Sequence, residues 1–71
     1  MMKLVEIETG IEVHKGKIIT DYLGGYWILH GWDEPGYFDI LGTVYVKKDE
    51  EDTPKAFEPR ELKLIFKRSK I

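Results

Sequence analysis

Few side chains in this sequence of 71 residues could act as nucleophiles, general acids or metal ligands. The chain has no cysteine and a single serine, Ser69, so neither a thiol nucleophile nor a Ser-His-Asp triad is expected. The two histidines, His14 and His30, lie far apart and lack the His-x-His or His-Glu-x-x-His spacing of common zinc sites. Carboxylates such as Asp33 and Asp39 are expected to be solvated surface charges. We therefore predict a protein that is not an enzyme and holds no metal or cofactor.

Aromatic side chains are a more informative group, because the sequence has nine of them. A core of this size holds about four or five large rings. The alternation of apolar residues assigns these rings to the core: Trp27 (or Tyr26), Phe38, Phe57 and Phe66. Of the others, we predict that Trp32, Tyr37 and Tyr45 are exposed or half-exposed.

These three rings form a candidate binding site. Trp32 and Tyr37 flank the segment Asp33-Glu34-Pro35-Gly36, whose residues are typical of a type II turn, and Tyr45 shares an outer strand face with Tyr37. Aromatic rings beside carboxylates are frequent in protein-binding hot spots. We predict that a protein partner docks on the following residues: Trp32, Tyr37, Tyr45, Asp33 and Glu34. In the alternative, Trp32 is a plug that packs over an open end of the fold.

Two other functions use overlapping residues. In a nucleic-acid-binding protein the rings would stack on bases, and phosphates would be contacted by four cations: Lys15, Lys17, Lys47 and Lys48. In a self-associating structural subunit, the contact between copies would use Leu41, Tyr45 and Ile65. The three alternatives differ in partner but share a small scaffold without catalytic groups.

The charge distribution bears on the choice among these partners. Residues 1–59 carry six basic and twelve acidic side chains, whereas residues 60–71 carry five basic and one acidic. Because nonspecific binding to nucleic acid depends on cations that face the phosphates, the acidic body disfavours it. Residues 67–71 are expected to form a solvated basic tail.

The sequence also bears on compartment and source. The longest uninterrupted apolar run is Tyr26-Trp27-Ile28-Leu29, far short of the roughly twenty residues that span a bilayer. The beginning of the chain lacks a signal-peptide core, so we expect a cytoplasmic protein with no membrane partner. Its small size suggests an accessory or regulatory protein of a microbe or a virus such as a phage.

Alternation of apolar and polar residues predicts the elements that position these side chains. Short strands are expected around Val5–Ile7, at 11–14 (resuming at 18–22 after a turn or bulge at Lys15-Gly16), at 26–31, over a long stretch at 37–47, and at 62–67. Gly24-Gly25 predicts a hairpin, and Gly42 predicts a sharp bend within a strand. Residues 47–54 form a charged loop that we expect to be mobile. For residues 59–67 a short helix is the alternative to a single helical turn followed by a strand.

Five short strands in one domain of residues 1–71 are packed most economically as a small, strongly bent antiparallel barrel. The segment Val13-His14-Lys15-Gly16-Lys17-Ile18-Ile19 resembles the strand–glycine–strand stretch of KOW domains and other SH3-like barrels. The segment Phe57-Glu58-Pro59-Arg60-Glu61-Leu62-Lys63-Leu64-Ile65 is similar to their ending, a 3₁₀ turn followed by the last strand. Electron-transport accessory barrels have a similar ending.

This resemblance implies a fold rather than one activity. SH3-like barrels are mostly docking modules that bind peptides, methylated tails, RNA or partner subunits. The basic face that is usual in nucleic-acid-binding KOW domains is missing here, so the resemblance favours a protein partner.

Overall fold

A computed structural model describes residues 2–69 of the chain and has six strands. The strands are β1 (Met2–Glu6), β2 (Ile18–Thr20), β3 (Tyr26–Asp33), β4 (Thr43–Lys47), β5 (Lys55–Phe57) and β6 (Leu64–Arg68), and a 3₁₀ turn at Pro59–Leu62 precedes β6. The prediction of an all-β chain is confirmed. One sheet pairs β1 with β6, the other has the order β2-β3-β4-β5, and both are antiparallel. The strands therefore form two sheets and not the predicted closed barrel of five strands.

The additional strand is β5, which pairs with β4 in the register Val44↔Phe57 and Val46↔Lys55. Lys55 and its neighbour Ala56 are both exposed, so this strand lacks the alternation by which the others are recognised. Its position is set by the neighbouring strand and not by its own pattern.

The segment between β1 and β2 links the two sheets. The Val13 N–H donates to the Leu4 carbonyl at 2.9 Å, and the Leu29 N–H donates to the Lys17 carbonyl at 2.9 Å. The same stretch of chain thus pairs first with β1 and then with β3. A turn at Lys15–Gly16 separates the two pairings, where the alternation of the sequence breaks.

The core lies between the two sheets. Its buried members are aliphatic except for two rings, and they come from both sheets and from the connecting segments: Leu4, Val13, Ile19, Trp27, Leu29, Val44, Val46, Leu62, Leu64 and Phe66. Trp32 and Phe57 are partly buried against this cluster. Every strand except β5 contributes at least one buried residue, which explains the good match between alternation and burial.

The prediction of a long strand over residues 37–47 is wrong in its first half. β4 begins only at Thr43, and Phe38, which was predicted to lie in the core, is 98% exposed. The cause is Asp39, whose Oδ1 accepts from the Gly42 N–H at 3.1 Å and whose Oδ2 accepts from the Thr43 hydroxyl at 2.6 Å. These bonds fold residues 39–43 into a turn that competes with an extended strand.

The preceding turn also differs from the prediction. β3 continues through Asp33, and Gly36 lacks the positive φ that the expected type II turn requires, so that turn does not form. Instead the Gly36 N–H donates to the Asp39 carbonyl at 2.8 Å. Residues 34–42 therefore form a loop, named the aromatic loop below, that connects the end of β3 to the beginning of β4.

The end of the chain follows the prediction of a strand and excludes the helix alternative within the described residues. Glu58 and Glu61 form a capping box around the 3₁₀ turn, in which the Glu58 N–H donates to the Glu61 carboxylate at 3.0 Å. Lys63 ends the turn in the left-handed region with φ 58°. Leu64 and Phe66 are then buried in β6.

The two charged segments lie only partly where they were predicted. Lys47 belongs to β4, and the rest of the 47–54 segment connects β4 to β5; its mobility stays a prediction. Lys67 and Arg68, assigned to a solvated tail, are residues of β6, and residues 70–71 lie outside the described part. Over residues 2–69, no helix has the length and hydropathy needed to cross a membrane.

Candidate functional site

Tyr37 and Phe38 form the most exposed aromatic pair at the tip of the aromatic loop. Tyr37 is 92% exposed, and its ring meets the Phe38 ring edge-on at a centroid distance of 5.1 Å. Ile40, next but one along the loop, is 79% exposed, and Leu41 is also exposed. Contiguous exposed apolar side chains of this size are unusual on a monomer surface and mark interaction sites.

A groove of about 330 Å³ lies between the aromatic loop and β6. Apolar side chains supply most of its lining: Met2, Pro35, Ile40, Leu41, Pro59, Leu64, Ile65 and Phe66, with Glu58 and Arg60 at the 3₁₀ turn. This feature is called the loop groove below. The loop groove is large enough to hold an apolar side chain, and its lining is mostly apolar.

Tyr45 and Asp33 are brought together by the pairing of β3 with β4. The Tyr45 hydroxyl donates to Asp33 Oδ2 at 2.7 Å. This hydrogen bond, together with partial burial and the negative charges of Asp33 and Asp39, raises the pKa of Tyr45 above its ordinary value. Tyr45 is half-buried, so its ring braces the strand pair and presents less surface than Tyr37.

Trp32 and Glu34 support the aromatic loop and contribute less free surface. Trp32 lies opposite Val44 in the register and packs partly buried against the core. Glu34 Oε1 accepts from the Met2 N–H at 2.7 Å, which links the loop to β1. Of the five residues predicted to bind a partner, Tyr37 is therefore the most exposed hydrophobic one, and the other four are engaged in packing or hydrogen bonds within the fold.

Phe38 and Ile40 are members of this surface that sequence analysis missed. Alternation over residues 37–47 puts both residues on the same strand face as Val44 and therefore predicts that both point inward. The sequence does contain a signal for the turn, since Asp39 precedes Gly42-Thr43 at the spacing of a side-chain-closed turn. This turn signal predicts that the strand is interrupted, and that Phe38 and Ile40 are exposed to solvent.

The lysines predicted for nucleic-acid binding divide into two groups. Lys15 and Lys47 line the same depression as His30, of about 270 Å³, together with one acidic residue, Glu50. Partial burial is the main reason that the pKa of His30 is lowered, and the charges of Lys47 and Lys15 lower it further. Lys17 is exposed on the adjoining segment.

Lys48 belongs to a structural cluster around Trp27. Its ammonium lies 4.0 Å from the Trp27 ring centroid and donates to the Tyr26 carbonyl at 2.8 Å. Asp21 completes the cluster, because its Oδ2 accepts from Trp27 Nε1 at 2.9 Å and its Oδ1 from the Gly25 N–H at 2.8 Å. These hydrogen bonds, the one from Trp27 first, hold the pKa of Asp21 below its ordinary value.

Metal-ligating side chains do not cluster in the described part of the chain. No group of three or more His, Asp or Glu side chains there is arranged to hold a metal ion. His14 is exposed, and the carboxylates at Asp21, Asp33 and Asp39 are occupied by the turn and strand hydrogen bonds described above.

Comparison with known proteins gives no template for this site. Neither the models of protein families, nor the curated proteins, nor the solved structures include a match to this chain. The resemblance to SH3-like barrels therefore stays a prediction based on two short segments.

Proposed function

We propose that this chain is a non-enzymatic protein-interaction module whose aromatic loop docks a protein partner. The observation that carries the proposal is the exposed Tyr37–Phe38 pair beside the loop groove. Aromatic rings on such a projecting loop add large contact area for little conformational entropy, which is the property of binding hot spots. The site is thus revised from its predicted form: Tyr37, Phe38 and Ile40 contact the partner, while Trp32 and Tyr45 brace the loop.

The proposal includes an SH3-like relationship for the fold. It is supported by the 3₁₀ turn directly before the last strand and by the bent 11–20 segment that pairs with both sheets. A small accessory or regulatory protein of a microbe or virus, acting in the cytoplasm, fits a scaffold of this size.

A paired substitution of Tyr37 and Phe38 by serine tests the docking site. We expect the Y37S/F38S variant to capture the partner of the wild-type protein at least about tenfold less well, because two hot-spot rings are removed. The free energy of unfolding should change by less than about 0.5 kcal/mol, since both rings are exposed. The measurement is quantitative capture from native lysate with each protein as bait.

Tyr22 and Leu23 provide a matched control, because they are also an exposed apolar pair on a turn. The Y22S/L23S variant should capture as much partner as the wild type. Equal capture by Y37S/F38S and the wild type would show that the aromatic loop is not the docking site.

Nucleic-acid binding is a second candidate, favoured by the presence of Lys15, Lys47 and His30 in one depression, where Glu50 is the acidic residue. Without ligand, we expect His30 to titrate below the ordinary pKa of 6.5, since burial and both ammonium groups disfavour the imidazolium. A bound phosphate backbone would stabilise the imidazolium and raise this pKa. Titration of His30 by NMR, with and without a single-stranded oligonucleotide at low salt, measures the shift; an unchanged pKa contradicts this candidate.

A further inference from the structure

One edge of β6 has no strand partner among residues 2–69, because β6 pairs only with β1. The direction of its backbone groups follows from the neighbouring hydrogen bonds. The Ile7 N–H donates to the Lys63 carbonyl at 3.0 Å, and on the other side of β1 the Val13 N–H donates to the Leu4 carbonyl at 2.9 Å. The odd-numbered residues of β1 therefore face β6, and the even-numbered ones face the 11–13 segment.

The register of the β1–β6 pair carries this alternation onto β6. Val5 lies opposite Ile65 and Lys3 opposite Lys67, so the backbone groups of Ile65 and Lys67 point towards β1. Those of Leu64, Phe66 and Arg68 point the other way. The backbone N–H and C=O groups of these three alternate residues can therefore pair with a further antiparallel or parallel strand.

The free edge borders the loop groove, which is lined by Leu64, Ile65 and Phe66 of β6 and by Ile40 and Leu41 of the aromatic loop. A strand added at the usual spacing of about 4.8 Å would lie along this groove. Alternate side chains of the added strand would then fall on the same side as the apolar lining.

Charge selects among the strands that could be added. Residues 60–69 carry Arg60, Lys63, Lys67 and Arg68 against a single carboxylate, Glu61, while the rest of the chain is acidic. Self-pairing of two β6 edges would bring these like charges together, which is unfavourable. Lysine at an exposed edge likewise discourages neutral and basic strands. The complementary occupant is an acidic segment.

We propose that an acidic, extended segment of a partner protein adds to the free edge of β6 as a further strand, with one of its apolar side chains in the loop groove. The inference rests on the proposed function and names the chemistry of the partner. Backbone hydrogen bonds to Leu64, Phe66 and Arg68 supply the affinity. Carboxylates beside Lys67 and Arg68 set the polarity, and the exposed Tyr37–Phe38 pair extends the contact.

Selection of peptides from a random twelve-residue display library tests the proposal with the full chain as target. We expect the selected peptides to be rich in Asp and Glu around one or two apolar residues. Synthetic copies of the strongest binder should slow amide hydrogen exchange at Leu64, Phe66 and Arg68, by NMR, at least about tenfold. A copy that is N-methylated at alternate residues, and a copy with Lys in place of every acidic residue, should each bind at least about tenfold more weakly.

Substitution of Arg68 separates backbone pairing from charge. Arg68→Pro removes one outward N–H and one charge but no hydrogen bond to β1, whereas Arg68→Gln removes the charge alone. We expect R68P to bind the peptide at least about threefold more weakly than R68Q. The proposal is wrong if R68P and R68Q bind the peptide with equal affinity, or if the peptide does not slow exchange at the β6 edge. It is also wrong if the selected peptides are basic, or if the wild type forms a dimer that R68P abolishes.

The two proposals fail in distinguishable ways. If Y37S/F38S loses its cellular partner while no peptide protects the β6 edge, the docking function stands and the strand-addition inference is wrong. If the peptide protects the edge while Y37S/F38S captures its partner normally, the aromatic loop is not the docking site.

Discussion

Replacement of Gly42 by alanine is expected to lower the free energy of unfolding by at least about 2 kcal/mol. Gly42 is buried at the start of β4 with φ 78°, a left-handed conformation that costs a residue with a Cβ about 1 kcal/mol or more. A Cβ at this position would lie 2.5 Å from Phe66 Cε2 and 3.0 Å from the Asp33 carbonyl oxygen. Both distances are too short, so the Phe66 ring and the backbone at the end of β3 must shift away from the new methyl group.

Gly10→Ala is the matched control for this substitution. Gly10 has nearly the same φ, 74°, but no atom lies within 4 Å of the position that its Cβ would occupy. The free energy of unfolding of G10A should therefore fall only by the cost of the left-handed conformation, about 1 kcal/mol. Urea unfolding of the three proteins measures the difference, and an equal loss for both variants would mean that Phe66 does not confine Gly42.

The crowding at Gly42 also has a consequence for function. Phe66 belongs to β6 and lines the loop groove, and Gly42 ends the aromatic loop. A Cβ at position 42 would displace the Phe66 ring, so a G42A variant that remains folded should also bind the selected acidic peptide more weakly. A variant with wild-type affinity would show that the groove tolerates this displacement.

Replacement of Trp27 by alanine is expected to cost about 3–5 kcal/mol. A chain of this length has a free energy of unfolding of roughly 4–10 kcal/mol, so most of the stability would be lost. Trp27 is 7% exposed, packs edge-on against Phe57 at 5.0 Å, and binds both Asp21 and Lys48. Its loss opens the core and releases the β2–β3 turn at the same time.

Two variants separate these contributions to the stability supplied by Trp27. Trp27→Phe keeps a buried ring and removes the hydrogen bond to Asp21, so it should cost less than the alanine variant. Tyr26→Ala changes the neighbouring ring, which is 68% exposed on the opposite strand face, and should cost less than about 0.5 kcal/mol. Thermal and urea unfolding provide the measurement. If Y26A lowers the free energy of unfolding as much as W27A does, the buried ring that stabilises the core is Tyr26 and not Trp27.

Local patterns in the sequence predicted much of the scaffold. Alternation identified the buried residues of β3 and the inward Leu64 and Phe66 of β6, and the paired glycines identified the hairpin at Gly24-Gly25. These features were accessible because one face of each strand packs on a core, and burial of alternate residues leaves a period of two in the sequence.

Alternation gave a wrong prediction in the aromatic loop, where it assigned Phe38 to the core together with Val44. Apolar side chains normally gain free energy from burial, so the rule treats an exposed ring as an inward one. The hydrogen bonds of Asp39 to Gly42 and Thr43 break the strand, and the rings that were expected inside become the candidate docking surface. An exception of this kind is expected where a surface is kept for binding.

By itself, the sequence determined an all-β chain, a strand after the 3₁₀ turn, and a surplus of aromatic rings over what a small core can bury. Only the tertiary structure decided which rings are surplus, that β5 is a sixth strand, and that the edge of β6 lies beside the aromatic loop. The reason is physical: periodicity records whether a residue faces a core, whereas the choice among rings and the meeting of distant edges depend on pairing between strands far apart in the chain.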